Sequence, residues 1–495
     1  MAANLLLGID HGGTTTTALL LDLDSGTRLA RSVPMPKSAP RPGWVEHQPE
    51  DFFRTSLEAS QAALIASGRG WSDVAAIGIA NQGETSMAWL ADDGGPLGPA
   101  LSWEDRRTAD LCRDLARRGV DELVRERTGV LLDPYFSASK FRWLLDNVPE
   151  VGEASRNGSL RLGGTDSYVI DRLTSGGIHA TDPATCSRTA LFNIYDVDWD
   201  DDLLAAFALE RAWLPDVRDT AGDYGTISCA EVAPAEVAIT TDAVDAHAAL
   251  FAQACWDPSI VKATYGTGAF IEVNTGANPV EPDGKLPVFI AWQLDGVADY
   301  TVEGGVFAVG SAIDWMVASG MLASAQASSD LAETVADSAG VVVVPSFTGL
   351  SAPHWKSEAR AAIFGLGLDT APAHVVRALL DGIAFQCAEI IHAIGVRVAD
   401  GIVEVRADGG PTRNRYLMQR QADLLGLPVA VSSEQDMTAL GAALLAGLGA
   451  GLLTRADIDA YRADQQVFEP SIGVDERDMA WEAWRSAVAI VVERG

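Results

Sequence analysis

The chain has 495 residues and a formal charge of −32, from 36 Lys plus Arg against 68 Asp plus Glu. That length exceeds what one hydrophobic core holds, so two large domains are expected. The acidic field repels nucleic acid and anionic membrane surfaces, and any phosphate site must draw on local backbone N–H groups and a metal ion.

In chain order, "LLLGID" and "ALLLDLDSG" read as adjacent strands joined by the turn "GGTTTT". The spacing over Pro49 to about Ser67 predicts an amphipathic helix that leads into a strand at "AAIGIAN". That strand runs straight into a polar knot, Asn81-Gln82-Gly83-Glu84-Thr85-Ser86, as a buried strand seldom does without something polar opposite. A charged, Trp-rich middle region extends to about residue 240, and a second strand series follows: "SIVKATYGTGAFIEVNTG", "DYTVEGGVFAVGSAIDWM", "GVVVVPSFTGL" and "GIVEVRADGG". Between its last two members a long helix is expected, with Thr370 as cap, Pro372 in the first turn, and Val376, Leu379, Leu380, Ile383 and Cys387 at helical spacing.

Strand, glycine–threonine turn, strand occurs once in each half, which predicts duplicated α/β domains facing each other across a cleft. The expected division is 1–248, 249–450 and a helical tail over 451–495 that packs back on the body. Cys112, Cys186, Cys229, Cys255 and Cys387 are scattered, odd in number and without CxxC pairing, so they read as reduced core thiols. The start lacks a basic stretch and reaches Asp10 within nine residues, unlike a signal peptide. The late apolar run "ALGAALLAGLGAGLL" is glycine-rich and too short to span a bilayer. A cytoplasmic protein is expected.

In "GIDHGGTTTT", Gly12 and Gly13 can bring backbone amides close to a phosphate, and Thr14 to Thr17 supply hydroxyl donors. Asp10, at the end of a buried strand, is placed to hold Mg²⁺ directly or through its waters. The competing reading of this turn is a plain polar hairpin; the matching "YGTG" hairpin and the "DGGPTRN" strand end weigh against it.

With those pieces in view the chain resembles the FGGY carbohydrate kinases, and within them the glycerol kinase branch. The resemblance rests on "PGWVEHQPED", "AIGIANQGET", "WEDRRTADLC", "TGVLLDPYFSASK", "SRTALFNI", "TYGTGAF", "EGGVFAVGSAIDW", "VPSFTGLSAPHW", "ARAAIFGL", "DGGPTRNRYLMQ" and "TALGAALLAGL". It implies duplicated actin/hexokinase/Hsp70-like (ribonuclease H-like) domains, and transfer of phosphoryl from Mg-ATP to a primary hydroxyl of glycerol or a similar polyol. It further implies Asp10 as the Mg²⁺ organiser, with Gly13, Thr14 and Thr15 near the ATP phosphates. Thr267, Gly268, Gly310 and Asp314 would contact phosphate and ribose, and Gly410 and Asn414 would flank the adenine. Gly83, Glu84, Trp103, Tyr135, Asp245 and Phe270 would form the acceptor pocket. Asp245 aligns with the general base, a carboxylate that takes the hydroxyl proton as the phosphoryl group arrives; its other reading is a helix N-cap ahead of "AHAAL". A homodimer or homotetramer is implied as well.

Three departures from the family pattern bear on function. Glycerol kinases carry Asn-Gln-Arg-Glu-Thr where this chain has Gly83, and their Arg-Glu pair grips two neighbouring hydroxyls. An unreplaced arginine would weaken glycerol binding by about 10- to 100-fold, since a charge-assisted hydrogen bond contributes ~1.5–3 kcal/mol. The glycine would also open space beside Glu84. So either glycerol binds poorly, another donor moves in, or the acceptor is a different polyol or ketose, such as a tetritol, ribulose or xylulose. His247, where glycerol kinases have glutamine, leans toward a different acceptor. Thr17 stands where the family usually has Lys or Arg. Residues 228–241 carry Glu231 and Glu236 and no basic residue, where some bacterial relatives bind an inhibitory sugar bisphosphate. A non-catalytic, actin-like nucleotide switch is the alternative from another class, and the acid-lined pocket weighs against it.

Overall fold

The computed structural model describes residues 3–494 apart from 233, 283, 357 and 463. Strand β1 (Leu5–His11) is almost wholly apolar and pairs antiparallel with β2 (Thr15–Asp22), which pairs with β3 (Arg28–Pro34). Helix α1 (Pro49–Ser67) begins on a proline and ends on Gly68, a left-handed cap whose N–H returns to the last turn. It leads to β4 (Val74–Asn81), parallel to β1. A middle region contributes α2 (Ser137–Asn147) and α3 (Pro183–Ser187). The chain then returns to the first sheet as β5 (Ala238–Val244), parallel to β4, and turns directly into α4 (Asp245–Ala252).

The second sheet repeats this plan. β6 (Ile260–Tyr265) and β7 (Ala269–Gly276) form a hairpin; β8 (Val288–Leu294) and β9 (Val297–Val306) extend it antiparallel through the β7–β9 pairing. After α5 (Gly310–Ala318) and α6 (Pro372–Gly395), β10 (Glu404–Asp408) lies parallel to β6. Helix α7 (Arg415–Leu425) precedes β11 (Val429–Ser432), parallel to β10. Then come α8 (Met437–Gly449), β12 (Gln465–Phe468) antiparallel to β11, and α9 (Val474–Arg494). The first sheet runs β3-β2-β1-β4-β5, and the second contains β9-β7-β6-β10-β11 in the same order with edge strands added. Each is three antiparallel strands followed by two parallel ones, so the glycine–threonine echo in the sequence reflects a repeated fold.

The two halves interlock. Helix α8, the late glycine-rich apolar run, lies on the first sheet, with Leu440, Ala443 and Leu444 in one core with Leu6, Leu19 and Ala76. Its approach is so close that a Cβ on Gly8 would sit 1.9 Å from the Ala439 carbonyl oxygen. Helix α6 is long and apolar enough by composition to cross a membrane, but 72% of its most apolar window is buried inside the protein. It is a core helix. Its cap differs from expectation: Ala371 is the N-cap, while Thr370 Oγ1 accepts the Gly367 N–H at 2.9 Å, and Pro372 opens the first turn as the sequence predicts. The tail is not purely helical, because β12 takes up the sheet edge first. Helix α9 does pack back, with Trp484 stacked on Phe385 of α6 at 5.0 Å between ring centroids. All five cysteines are free and buried.

Candidate active site

The polar knot after β4 is buried throughout, and most of it is wiring. Asn81 Nδ2 donates to Thr185 Oγ1 at 2.8 Å and to Asp242 Oδ1 at 3.0 Å. Gln82 Nε2 donates to the Gly12 carbonyl at 2.9 Å, which ties the knot to the turn between β1 and β2. Thr85 Oγ1 donates to Gln82 Oε1 at 2.9 Å and accepts the Trp103 N–H at 3.3 Å. These bonds satisfy groups that would otherwise be costly to bury. They leave the Glu84 carboxylate for chemistry.

Glu84 Oε1 accepts from Arg188 Nη1 at 2.7 Å. Arg188 follows α3, and its second Nη also reaches Glu303 of β9 and lies 3.2 Å from His247 Nε2. The guanidinium plane covers Phe289, 4.1 Å from the ring centre. Burial pushes the Glu84 carboxyl up, and Arg188 opposes that shift. Lys140 of α2, fully buried, donates to the Glu84 carbonyl at 2.9 Å and to the Tyr135 carbonyl at 2.6 Å. Its ammonium is pushed down to about 7 by burial. Lys140 thus clamps together the backbones that present Glu84 and Tyr135. The Tyr135 ring meets Trp103 edge to face, with centroids 5.9 Å apart, and burial beside Glu84 holds its phenol protonated.

Asp245 is the first residue of α4; Val244 occupies the N-cap position, and Asp245 Oδ1 accepts the neighbouring Ala246 N–H at 2.6 Å. The N-cap reading is therefore corrected: the strand–helix junction aims this carboxylate, but the cap lies one residue earlier. Burial raises its carboxyl to about 6 against the opposing pull of Arg188. His247, two residues further along the same helix, is pushed well below its ordinary value by burial and by Arg188 and Lys262. Its Nε2 lies 3.2 Å from the Arg188 donor and 3.5 Å from Glu272 Oε2, and the lowered basicity favours the neutral ring. His247, Glu272 and Glu303 bring ligand atoms within 4.8 Å of one another. Lys262 on Glu272 at 2.7 Å and Arg188 on Glu303 already balance those carboxylates.

Asp10 closes β1, where burial and the charges of Asp245 and Asp436 push its carboxyl well up. The groups that shift it are all acidic. Asp10 thus lies in the field of two further carboxylates, and a carboxylate is the hard oxygen donor that Mg²⁺ takes. Thr17, opposite Asp10 on β2, is buried and bonds Ser32 Oγ at 2.8 Å, so it is occupied within the sheet. Gly13, Thr14 and Thr15 form the open end of this hairpin, and a Cβ on Gly13 would meet nothing within 4 Å.

The second hairpin tip, Gly266 to Gly268, is clasped by the start of α5. The Thr267 carbonyl accepts the Val309 N–H at 2.9 Å, and the Gly266 carbonyl accepts the Gly310 N–H at 3.0 Å. A Cβ on Gly268 would fall 2.4 Å from the Val306 carbonyl oxygen. Asp314 lies exposed on α5, and Gly410 lies exposed in the turn before α7. Asn414 caps α7, its Oδ1 accepting the Leu417 N–H at 2.9 Å while its Nδ2 donates to Ser328. Phe270 of β7 packs beside Gly305 of β9.

The structure thus groups Glu84, Tyr135 and Asp245 around Arg188, with Trp103 on Tyr135 and Asp10 within the field of Asp245. Thr267, Gly268 and Gly310 form a second group. Sequence reading passed over Arg188 and Lys140. Each is the one cation in an otherwise uncharged motif, "SRTALFNI" and "PYFSASK", and that isolation was the available signal.

Comparison with known proteins gives a consistent result. Residues 5–252 match the N-terminal domain of the FGGY family of carbohydrate kinases, and residues 261–450 match its C-terminal domain. Glycerol kinase of Methylobacterium nodulans is 42% identical over 99% of this chain and 98% of its own length. Glycerol kinase of Thermus brockianus is 42% identical over 98% of this chain and 97% of its own. Among solved structures, Plasmodium falciparum glycerol kinase with ADP superposes with a TM-score of 0.93 at 29% identity, covering 99% of this chain and 98% of that one.

Proposed function

This chain belongs to the FGGY family of carbohydrate kinases, and from that premise we propose that it transfers the terminal phosphoryl group of ATP to a primary hydroxyl of glycerol. The observation that carries the reading is the buried cluster in which Asp245, Glu84 and Tyr135 surround one guanidinium, beside the Asp10 end of the phosphate turn. Asp245, held at about 6, is ionised at neutral pH yet basic enough to take the acceptor's proton. Glu84 and the Tyr135 phenol orient neighbouring hydroxyls, and Trp103 covers the carbon chain. The two glycine–threonine hairpins present backbone N–H groups and hydroxyls to the nucleotide phosphates. Asp10 would hold Mg²⁺, which when bound neutralises charge on the phosphates. Closure around the substrates would exclude water and limit ATP hydrolysis.

Glycerol is favoured over a larger acceptor because the room expected beside Glu84 is filled. A Cβ on Gly83 would lie 2.5 Å from Arg188 Cδ and 3.4 Å from Val244 Cγ2. The relatives named glycerol kinase support the same choice. The test is ADP release with Mg-ATP across glycerol, erythritol, dihydroxyacetone, ribulose and xylulose. Glycerol should give the highest kcat/KM, and a ketopentose preferred by tenfold would overturn the assignment.

A further inference from the structure

We propose that Lys262 is a positioning residue of the transfer reaction: with Arg406, Glu272 and Glu303 it forms a row of buried charges on the second sheet that fixes helix α4 and so aims the Asp245 carboxylate. The inference rests on the reading of Asp245 as the base.

Strand register builds the row. Lys262 of β6 lies opposite Arg406 of β10 on one side and Glu272 of β7 on the other, and Glu272 lies opposite Glu303 of β9. Directly paired residues share a sheet face, so four neighbouring strands present two cations and then two carboxylates in a line. All four side chains are buried. Buried charges must be paired or hydrogen-bonded, and here most partners belong to α4, which continues strand β5 of the first sheet. Arg406 donates to the carbonyls of Gln253 and Ala254, just past the end of α4, at 2.5 and 3.0 Å. Lys262 Nζ donates to the Ala246 carbonyl in the first turn of α4 at 3.1 Å, and to Glu272 at 2.7 Å. Glu272 Oε2 lies 3.5 Å from His247 Nε2 on the same helix, and Glu303 takes Arg188.

Helix α4 is thus held at both ends by cations of the second sheet, and the one at its C-terminal carbonyls also suits the helix dipole. Helix α8 presses on its middle, where a Cβ on Gly441 would lie 1.8 Å from the Ala248 carbonyl oxygen. A contact in the middle leaves the direction of the helix to its ends. Asp245 opens α4 next to the residue that Lys262 holds, so a tilt there moves its carboxylate directly. The same strands carry the proposed nucleotide site: β6 and β7 flank the Gly266–Gly268 turn, and β10 runs into the turn at Gly410. One sheet therefore sets where the base stands relative to the phosphoryl donor. An ion pair that served stability alone would need only Glu272; the bond to the Ala246 carbonyl is what reaches the other sheet's helix. The Lys262 charge also opposes the upward push of burial on Asp245.

The test measures kcat, both KM values and Tm with glycerol and Mg-ATP for wild type, Lys262→Met, Lys262→Met/Glu272→Leu, Asp245→Asn and Asp245→Asn/Lys262→Met. Lys262→Met leaves Glu272 unpaired, and Tm should fall by roughly 5–10 °C. Its kcat should fall by about 10- to 100-fold with both KM values within about threefold of wild type, because Lys262 touches neither substrate site. Lys262→Met/Glu272→Leu removes the pair as a unit, so Tm should return to within about 3 °C of wild type while kcat stays down. On the Asp245→Asn background Lys262→Met should cost less than about threefold more, because it acts through that carboxylate. A kcat that recovers together with Tm in Lys262→Met/Glu272→Leu, or a Lys262→Met loss that persists in full on Asp245→Asn, overturns the inference. Should Lys262→Met fail to fold, the Lys262→Met/Glu272→Leu protein decides, and wild-type kcat there overturns it as well. Wild-type turnover of glycerol upholds the proposed function in each of these cases. A wild type that uses a different acceptor from the panel sinks the glycerol reading alone, and the same variants are then compared on that acceptor. A wild type inert to all five, or an Asp245→Asn enzyme as active as wild type, removes both.

Discussion

The proposed acceptor site and the proposed nucleotide site are built by opposite means. Around Glu84 the proposed site is built of charged side chains: Arg188, Glu303, Lys140 and Asp245 come from four separate segments and meet in a buried cluster. Around Thr267 the proposed site is built of backbone, with Gly268 and Gly310 packed so closely on carbonyl oxygens that no side chain fits. A side-chain site can be altered one contact at a time, because each charged group is carried by its own segment. A backbone site cannot, because the chain path is itself the binding surface. The contrast predicts that acceptor-side variants act on chemistry and on the acceptor alone, and that nucleotide-side variants act on fold and ATP together.

The largest effect should come from Asp245. Asp245→Asn keeps the shape and removes the base, so kcat should fall by on the order of 10²–10⁴ with ATP binding retained. The pH profile of the native enzyme checks the same group. The carboxyl is raised by burial to about 6 and works only when ionised, so kcat/KM should fall about tenfold per pH unit below about 6 and level off above it. A limb near the ordinary aspartate value, or Asp245→Asn turnover close to wild type, would place the base elsewhere and break the contrast at its stronger end.

A smaller effect, of the opposite kind, is expected at the second hairpin. In Gly268→Val the new Cβ meets the Val306 carbonyl oxygen at 2.4 Å, so β9 and the start of α5 must shift. Overpacking of this sort costs ~1–3 kcal/mol. Melting temperature should drop, and the ATP KM should rise by about tenfold with the glycerol KM little changed. Equal losses for both substrates would mean that the two sides are not separable in the way their construction implies.

The same division governs what could be read from the sequence. Backbone devices announce themselves as glycine at fixed spacing, so both hairpins, the repeated sheet plan and the strand ending at Asn81 were legible, as was the extent of α1. Glu84 and Asp245 were legible because each sits on a motif at a strand end. Arg188 was not, because nothing local links a position after α3 to one after β4; only the folded chain brings them to 2.7 Å. Lys140 was hidden for a related reason, since its partners are carbonyls, which leave no trace in side-chain pattern. The Thr370 cap failed because the preceding turn claims that hydroxyl through the Gly367 N–H. The strand at Gln465–Phe468 was missed because an edge strand with exposed Gln466 and Val467 lacks the clean alternation of a half-buried one.

The smallest expected effect is no effect, and it concerns regulation outside the cleft. Residues 228–241 reach β5 through a turn whose acidic side chains, Glu231 and Glu236, are exposed, with Ala233 outside the described residues. A bisphosphate needs several donors at once, from Arg, Lys or backbone amides, to offset its own charge. Here the local sequence offers two carboxylates and no basic residue, within a chain of net charge −32. Fructose 1,6-bisphosphate should therefore leave the rate at saturating glycerol and ATP unchanged through the millimolar range. Inhibition that disappears when residues 230–236 are replaced would show that backbone amides alone can build an anion site against an opposing field. The first hairpin is proposed to hold ATP by that same device, so such a result would also weaken the case that a cation on Asp10 is needed to hold the nucleotide.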